Sequence, residues 1–247
     1  MPPQILKASQ LQFLKALVYG PWGRGKTRFL ETAQQDPRTS PSILLDFDGG
    51  VESIVGSSID IAKIRSWRDY NEIYEYLNRE SHGYKSVCID SATETHIYAL
   101  FSILDEAVVK GTRKNRDRFE IGDYGDALNQ MRRLVRSFRD LDLHIIFSAL
   151  DKDDLDPAIG KIKKPALFGA FQDEMPAMMG VVGYLGQYPP SQEQVRQRGG
   201  DLSPIRTLLL QNSPQFFTKA RLPLGVEAPD EIEEPTVTKL LDALGFK

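Results

Sequence analysis

Short apolar runs, each followed by small or acidic residues, recur through the first part of the chain. Leu17-Val18-Tyr19 precedes a glycine, the runs that begin at Ile43 and Val87 end in aspartates, and His144–Ala149 ends in small residues. Apolar runs without polar interruption are typical of strands buried on both faces of a parallel sheet. The pattern therefore predicts a set of core strands whose carboxyl ends carry polar groups.

Between these runs, apolar residues recur at the three- and four-residue spacing of one helix face. Further short apolar segments fit strands, and those nearest the C-terminus are separated only by a polar turn, which favours antiparallel pairing. The predicted helices are Arg28–Ala33, Trp67–Glu80 with Ser66 as N-cap, Thr93–Val108 and Tyr124–Phe138, and the further strands are Ile59–Ile64, Gly180–Leu185, Ile205–Leu210 and Phe216–Arg221. The whole predicts an α/β fold with a mainly parallel central sheet flanked by helices, and antiparallel strands added near the C-terminus.

Three segments fit this scheme less well. Residues 1–13 alternate apolar positions and fit an edge strand or a lead-in to the first core strand. Leu150–Pro176 is rich in aspartate, lysine, glycine and proline, and such a long irregular stretch is typical of a functional or disordered loop. Glu227–Glu234 is acidic and precedes a short apolar helix over Thr236–Leu244. We therefore expect one main domain over residues 1–225 and an acidic linker with a short helix over residues 226–247.

Composition restricts the classes of function. The 247 residues carry a net charge of −3, which excludes a uniformly basic nucleic-acid-binding surface and leaves only local basic patches. The single cysteine, Cys88, lies in an apolar run, which favours a reduced intracellular protein. The N-terminus has no signal-peptide pattern, and no stretch approaches the roughly 20 apolar residues of a membrane span. We expect a soluble cytoplasmic protein.

The strongest chemical motif follows the first core strand. Glycines let the backbone turn its N–H groups toward a polyphosphate, a lysine would neutralise the β- and γ-phosphates, and a threonine hydroxyl would reach Mg²⁺. The motif GxxxxGK[ST] is matched by Gly20, Pro21, Trp22, Gly23, Arg24, Gly25, Lys26 and Thr27. Its position between a strand and a helix is the setting of a P-loop, so we expect this segment to bind a nucleoside triphosphate, ATP, with Mg²⁺.

A second acidic position supports a metal ion beside the P-loop. Asp90 ends the apolar run Val87-Cys88-Ile89, at the edge of the sheet where the P-loop also lies. Downstream of a P-loop, such an aspartate is typical of a Walker B motif that reaches a Mg²⁺-bound water. We expect Thr27 and Asp90 to serve the metal ion.

One basic cluster follows the predicted helix Thr93–Val108. Its cations are interleaved with glycine and end at an aromatic residue, Phe119, a composition that favours contact with single-stranded nucleic acid. The alternative is an ordinary solvated loop, since most runs of charge are exposed to water. The cations of this cluster are Lys110, Arg113, Lys114, Arg116 and Arg118.

Over residues 14–225 the chain resembles RecA-like ATPases, specifically the phage Sak-type single-strand annealing ATPases. Leu45–Gly50 is similar to the family's strand whose final acid activates water, which implies that Asp48 is the general base, with Glu94 as the alternative. Most relatives carry glutamate where this chain has Asp48, which implies slow hydrolysis.

The same resemblance implies a site shared between subunits. Lys219-Ala220-Arg221 is similar to the KxR finger, in which Lys219 and Arg221 would enter the neighbouring subunit's nucleotide site and complete catalysis with Lys26 and Asp48. This implies a homo-oligomer, either a ring or a filament. By position in the family, residues 107–122 and 151–169 would line the DNA path. That position makes Lys161, Lys163 and Lys164 candidates for DNA contact.

These observations lead to three hypotheses. The first is a RecA-like P-loop ATPase that assembles on single-stranded DNA and promotes annealing and homologous recombination for a bacteriophage in the cytoplasm of its bacterial host. A single-strand-binding protein is a candidate partner. The second is a nucleotide-switched scaffold or loader for replication proteins with little turnover. The third is a small-molecule kinase, although the chain shows no arginine-rich lid.

Overall fold

The computed structural model describes residues 13–247 except residues 80, 113, 114, 116, 117, 212 and 224, so the segment 1–12 lies outside it. The strands are β1 Lys15–Tyr19, β2 Ser42–Asp46, β3 Asp60–Lys63, β4 Ser86–Asp90, β5 His144–Ala149, β6 Asp151–Asp156, β7 Gly160–Pro165, β8 Val181–Tyr188, β9 Ile205–Leu209, β10 Lys219–Ala220 and β11 Glu231–Glu233. The α-helices are α1 Lys26–Glu31, α2 Trp67–Leu77, α3 Ala92–Val109, α4 Ile121–Arg139, α5 Phe171–Met178, α6 Gln192–Gln197 and α7 Val237–Ala243.

The central sheet has the strand order β11-β9-β8-β1-β5-β4-β2-β3, with β10 paired to β8. The six strands from β8 through β1 to β3 run parallel to one another, whereas β9 and β10 are antiparallel to β8 and β11 is antiparallel to β9. This arrangement confirms the predicted α/β fold, which is also the class that the resemblance to RecA-like ATPases implies. The predicted antiparallel pairing of the two strands around the polar turn, β8 and β9, is confirmed as well.

The central strands are buried on both faces, as their uninterrupted apolar sequences predict. Every position of β2, β4 and β5 is buried. Alternate side chains enter two apolar clusters, so that Ile89 packs on one side of the sheet and Cys88 on the other. The Cys88 Sγ donates to the Leu30 carbonyl oxygen at 3.5 Å, and burial raises the pKa of this thiol.

Two of the predicted helices, α2 and α3, begin directly after serines that cap them. The Ser66 hydroxyl accepts from the Asp69 N–H at the start of α2, and the Ser91 hydroxyl accepts from the Glu94 N–H at the start of α3. These caps place α2 and α3 directly after β3 and β4. None of the helices within the described ranges is long and apolar enough to cross a membrane.

The stretch Leu150–Pro176 differs from the irregular loop that its composition predicts. It forms the antiparallel hairpin β6–β7 and most of α5. Lys163 pairs with Asp151 at 3.1 Å and with Asp153 at 2.8 Å, and Lys161 pairs with Asp153 at 2.9 Å. Cross-strand ion pairs therefore link the two strands, while Ile162 of β7 is buried.

The acidic segment near the C-terminus also adopts regular structure. Glu231–Glu233 forms β11 and pairs with β9, and the Thr236 hydroxyl caps α7 by accepting from the Lys239 N–H. Val237, Leu240 and Leu241 are fully buried in the same apolar cluster as Cys88. The segment thus packs on the sheet, while the predicted domain boundary at residue 225 stays a prediction.

Candidate functional site

A cavity of about 450 Å³ lies where β1, β2 and β4 end. Polar groups from several strands converge at this carboxyl edge, which is the usual ligand-binding edge of a parallel sheet. The cavity is lined by Trp22, Gly23, Arg24, Gly25, Lys26, Thr27, Arg28, Asp48, Gly50, Ser53, Asp90, Ser91, Leu150, Gln187 and Arg206. The cavity thus brings together most of the predicted P-loop, the predicted base and the predicted metal-binding residues.

The backbone of the P-loop requires glycine for two different reasons. Gly23 and Gly25 have φ angles of 71° and 83°, in the left-handed region that glycine adopts without strain. Gly20 is needed for space, because a Cβ there would lie 2.2 Å from the Leu185 carbonyl oxygen. Strand β8 therefore holds the start of the loop, while the two later glycines shape its turn.

Lys26 lies inside the loop that precedes it. Its Nζ donates to the carbonyl oxygens of Gly20 at 2.9 Å and Pro21 at 2.8 Å. Burial lowers the pKa of Lys26, and the negative charges of Asp90, Asp151 and Asp48 oppose that effect. The ammonium group is thus held in the cavity by carbonyl groups that a phosphate could replace.

Two hydroxyl groups donate to the carboxylate of Asp90, one to each oxygen. The Thr27 Oγ1 donates to the Asp90 Oδ2 at 2.6 Å, and the Ser148 Oγ donates to the Asp90 Oδ1. The described residues contain no cluster of three or more His, Cys, Asp or Glu side chains arranged around a metal. A threonine hydroxyl and a carboxylate are nevertheless the hard oxygen donors that Mg²⁺ takes when substrate phosphates and waters complete its shell. The pair Thr27 and Asp90 fits such an ion.

Asp48 lies at the rim of the cavity and faces the start of α3. Its Oδ1 accepts from both the N–H and the hydroxyl of Ser91, each at 3.1 Å. Partial removal from water raises the pKa of Asp48 to about 6, and the negative charge of Asp90 adds to this shift. Glu94, the alternative base, lines a second cavity between α2 and α3 instead.

Arg206 is a cavity residue that the sequence patterns did not indicate. It lies on β9, and its Nη1 would be 3.0 Å from a Cβ placed on Gly25. Its Nε pairs with the Glu234 Oε2 at 2.9 Å. A lone cation within the apolar segment Ile205–Leu210 is the only trace of this role in the sequence.

The predicted finger residues lie outside the cavity of their own chain. The Lys219 Nζ donates to the Pro176 carbonyl oxygen at 2.6 Å, and the Arg221 Nη2 donates to the Ala177 carbonyl oxygen at 3.2 Å. Both cations therefore contact the last turn of α5. Burial lowers the pKa of Lys219, and the positive charge of Arg221 adds to the effect.

The predicted DNA-contact residues fall on two separate elements. Lys110 follows α3 and pairs with Glu106 at 3.1 Å, and Arg118 is exposed just before α4. Lys161, Lys163 and Lys164 all lie on β7, each paired with an aspartate, and Lys164 bridges Asp154 and Asp173. Arg113, Lys114 and Arg116 are outside the described residues.

A family model described as AAA domain matches residues 12–222 of the chain. The comparison of the chain with curated proteins found no match.

Three solved structures are similar to the chain. The RadB recombinase is 13% identical, with 82% of this chain and 84% of that chain covered and a TM-score of 0.44. The flagellar accessory protein FlaH from Methanocaldococcus jannaschii is 9% identical, with 91% and 92% covered and a TM-score of 0.38. The N-terminal domain of zonular occludens toxin from Neisseria meningitidis is 11% identical, with 80% and 83% covered and a TM-score of 0.33.

Proposed function

This chain belongs to the AAA domain family, and from that membership we propose that it is an ATPase that binds ATP with Mg²⁺ at Gly20–Thr27. The observation that carries the proposal is the contact of Thr27 with Asp90 at 2.6 Å beside the buried ammonium group of Lys26. A hydroxyl, a carboxylate and a cation within one cavity form a complementary site for a metal-bound polyphosphate.

Each residue has a separate task in this proposal. Lys26 would exchange its two carbonyl partners for phosphate oxygens, and Thr27 and Asp90 would hold the metal ion. Bound Mg²⁺ would neutralise charge on the phosphates. Asp48 would accept a proton from the attacking water, since a pKa of about 6 lies close to the pH at which a general base works best.

The test is ATP binding and phosphate release by the purified chain beside Lys26→Ala. We expect the substitution to weaken binding at least 10-fold, because no other described cation of the loop replaces the buried ammonium group. Lys85→Ala, whose Nζ contacts the Pro37 carbonyl oxygen, serves as the matched control. Equal ATP affinity in Lys26→Ala and the parent chain would contradict the proposal.

We further propose that the site is completed by a second subunit in a ring or filament. Lys219 and Arg221 donate to uncharged carbonyl groups near the end of α5, so their positive charges can serve the nucleotide of a neighbouring subunit. Mixing Lys26→Ala with Arg221→Ala tests this directly. The first variant keeps the finger and the second keeps the nucleotide site, so a trans arrangement restores activity on mixing. Activity that stays as low as in the separate variants would argue against it.

We propose that the chain binds single-stranded DNA. In this role the chain would promote annealing and homologous recombination of phage DNA in the bacterial cytoplasm, beside a single-strand-binding protein. The contacts would be Lys110, Arg118 and the lysines of β7. Because Lys161 and Lys163 already pair with Asp153, DNA phosphates must displace that carboxylate.

The DNA proposal predicts weak binding with a steep dependence on salt. The combined change of Lys161, Lys163 and Lys164 to alanine should lower the affinity for an oligonucleotide and flatten its salt dependence. Lys63→Ala on β3 should not. Identical salt slopes for the triple variant and the parent chain would remove β7 from the DNA path.

The second candidate function is a nucleotide-switched scaffold or loader for replication proteins. The observation that favours it is the position of Asp48, which is held by two donors of Ser91. A carboxylate oxygen that already accepts two hydrogen bonds is a weaker acceptor for the proton of an attacking water. This alternative predicts oligomers that form with ATP while phosphate release stays negligible with and without DNA. Rapid DNA-stimulated turnover would exclude it.

A further inference from the structure

Arg206 lines the cavity around the P-loop and is bound by Glu234, which lies outside the lining. The Arg206 Nε pairs with the Glu234 Oε2 at 2.9 Å, and the Arg206 N–H donates to the Glu234 Oε1 at 3.2 Å. The Glu234 N–H donates in turn to the Arg206 carbonyl oxygen at 2.7 Å. One glutamate therefore holds both the backbone and the guanidinium of Arg206.

The guanidinium also lies against the phosphate-binding loop. A Cβ on Gly25 would be 3.0 Å from the Arg206 Nη1, and Arg206 lines the cavity together with Lys26 and Thr27. The guanidinium therefore lies within van der Waals reach of position 25, where the φ of 83° already favours glycine. Strand β9 is two strands away from β1, so the sheet itself brings the cation to this place.

The carboxylate that pairs with Arg206 is easily displaced. The Glu234 side chain is 52% exposed, whereas that of Arg206 is 27% exposed. Water screens such a pair, so it contributes little to stability. A phosphate group accepts two parallel hydrogen bonds from a guanidinium and carries more charge than a carboxylate. A nucleotide phosphate in the cavity would therefore compete well for Arg206.

We propose that Arg206 binds a phosphate of the nucleotide in the same subunit, and that Glu234 competes for the guanidinium when no nucleotide is present. This inference rests on the proposed ATP site. It differs from the finger of a neighbouring subunit because Arg206 belongs to the chain that also supplies the P-loop. It also couples the site to the C-terminal segment, since Glu234 lies between β11 and the N-cap of α7.

The competition can be measured as binding. A fluorescent ATP analogue with Mg²⁺ gives the affinity of each variant, and displacement by inorganic tripolyphosphate isolates the contribution of the phosphates. We expect Arg206→Ala to weaken both affinities about 10-fold, and Glu234→Gln to strengthen both about threefold because the competing charge is removed. Arg198→Ala is the matched control, since Arg198 forms an exposed pair with Asp201 outside the cavity.

Each other outcome has a distinct meaning. Unchanged affinity of Arg206→Ala, with a parent chain that binds ATP, would overturn the inference and leave the ATP site intact. A loss for the ATP analogue without a loss for tripolyphosphate would place the guanidinium on another part of the nucleotide and also overturn it. Weaker binding by Glu234→Gln would show that Glu234 positions Arg206, which contradicts competition.

Two controls separate a local effect from failure to fold or to bind. Arg206→Lys keeps the charge but loses the paired geometry, so its affinity should fall between those of Arg206→Ala and the parent chain. Its thermal unfolding should match that of the parent chain. If neither the parent chain nor Lys26→Ala binds the ATP analogue, the proposed function itself fails, and this pattern is distinguishable from every outcome above.

Discussion

Asp48 and Asp90 are two carboxylates in one cavity with different surroundings. Asp90 is buried and accepts hydrogen bonds from Thr27 and Ser148, whereas Asp48 lies at the rim and is bonded by Ser91. Hydrogen bonds to a carboxylate favour its charged form, and loss of water opposes it. These surroundings are compatible with the roles that we propose, metal binding for Asp90 beside Thr27 and proton transfer for Asp48, whose pKa is raised.

The pH dependence of hydrolysis should follow the ionisation of Asp48. Because the pKa of Asp48 is raised to about 6, this proposed general base is protonated below that pH and ionised above it. The hydrolysis rate should rise with pH through an inflection near 6 and then level off. Asp48→Asn should lower the rate at least 100-fold and remove the inflection, while ATP affinity is kept.

The variant Ser91→Ala should be measured in the same pH profile. It removes a hydroxyl that donates to the charged form of Asp48, so the inflection should move to higher pH. A profile of the parent chain without an inflection between roughly pH 5 and 7 would contradict the role of Asp48 as the base.

The same raised pKa gives a prediction for stability. The folded-state pKa of about 6 lies above the ordinary value of 3.8, so Asp48 favours the folded state below pH 3.8 and loses this contribution as pH rises through 6. Asp48→Asn avoids the loss and should unfold at higher temperature than the parent chain at neutral pH. Because the side chain is partly open to water, we expect a gain of less than about 1 kcal/mol. Thermal unfolding should show the gain vanishing near pH 4, and a gain that is constant with pH would contradict this account.

Residues of the site differ in how far the sequence could reveal them. Lys26, Thr27 and Asp90 follow from a motif and from the ends of apolar strands, because local spacing fixes their place in the fold. Asp48 follows only from the family resemblance. Arg206 follows from neither, because its closeness to Gly25 depends on β9 lying two strands from β1, which no local pattern encodes.

The contact between β1 and β8 sets the position of the P-loop. The pairs Ala16 with Val181 through Tyr19 with Tyr184 carry the strand directly into Gly20. Leu185, the next residue of β8, leaves no room for a side chain at position 20. The loop geometry is thus a consequence of sheet packing as well as of glycine content.

This contact predicts a large difference between two glycine substitutions. Gly20→Ala places a Cβ 2.2 Å from the Leu185 carbonyl oxygen, so the strands must separate and thermal stability should fall by about 1–3 kcal/mol. Gly122→Ala in α4 meets no atom within 4 Å and should be neutral or slightly stabilising. Thermal or denaturant unfolding of both variants provides the comparison. Equal stabilities would show that β8 does not restrict position 20.

The hairpin β6–β7 shows why one element was missed. Its first strand is rich in aspartate and its second in lysine, so the apolar alternation that predicts a half-buried strand is absent. Opposite charges across the two strands provide the pairing instead, as between Asp153 and Lys163. Charge complementarity over a register of several residues is visible only after the register is known.

For the whole molecule, the apolar runs were sufficient to predict a parallel sheet with helices on both faces. The edges of that sheet were harder to predict. Ile232 is a single apolar residue among acidic neighbours, yet it is buried where β11 pairs with β9. The C-terminal segment, whose sequence is typical of a polar linker, therefore completes the antiparallel side of the sheet and covers one apolar cluster.

Removal of residues 227–247 should therefore destabilise the whole chain. The truncation exposes the cluster that Val237, Leu240 and Leu241 cover, so the melting temperature should fall or soluble protein should be lost. Leu241→Ala isolates the effect and should cost about 2–5 kcal/mol of unfolding free energy. Glu227→Gln, an exposed change in the same segment, should be neutral. A truncated chain as stable as the parent would show that the segment contributes nothing to the core.

The buried sulfur of Cys88 has a practical consequence for spectroscopy. It is the single cysteine of the 247 residues, it is fully buried, and its thiol has a raised pKa, so it reacts slowly with alkylating reagents. A cysteine introduced at an exposed position would be the one thiol that takes up a maleimide dye in the native protein. The chain can therefore be labelled for single-molecule fluorescence without first replacing Cys88.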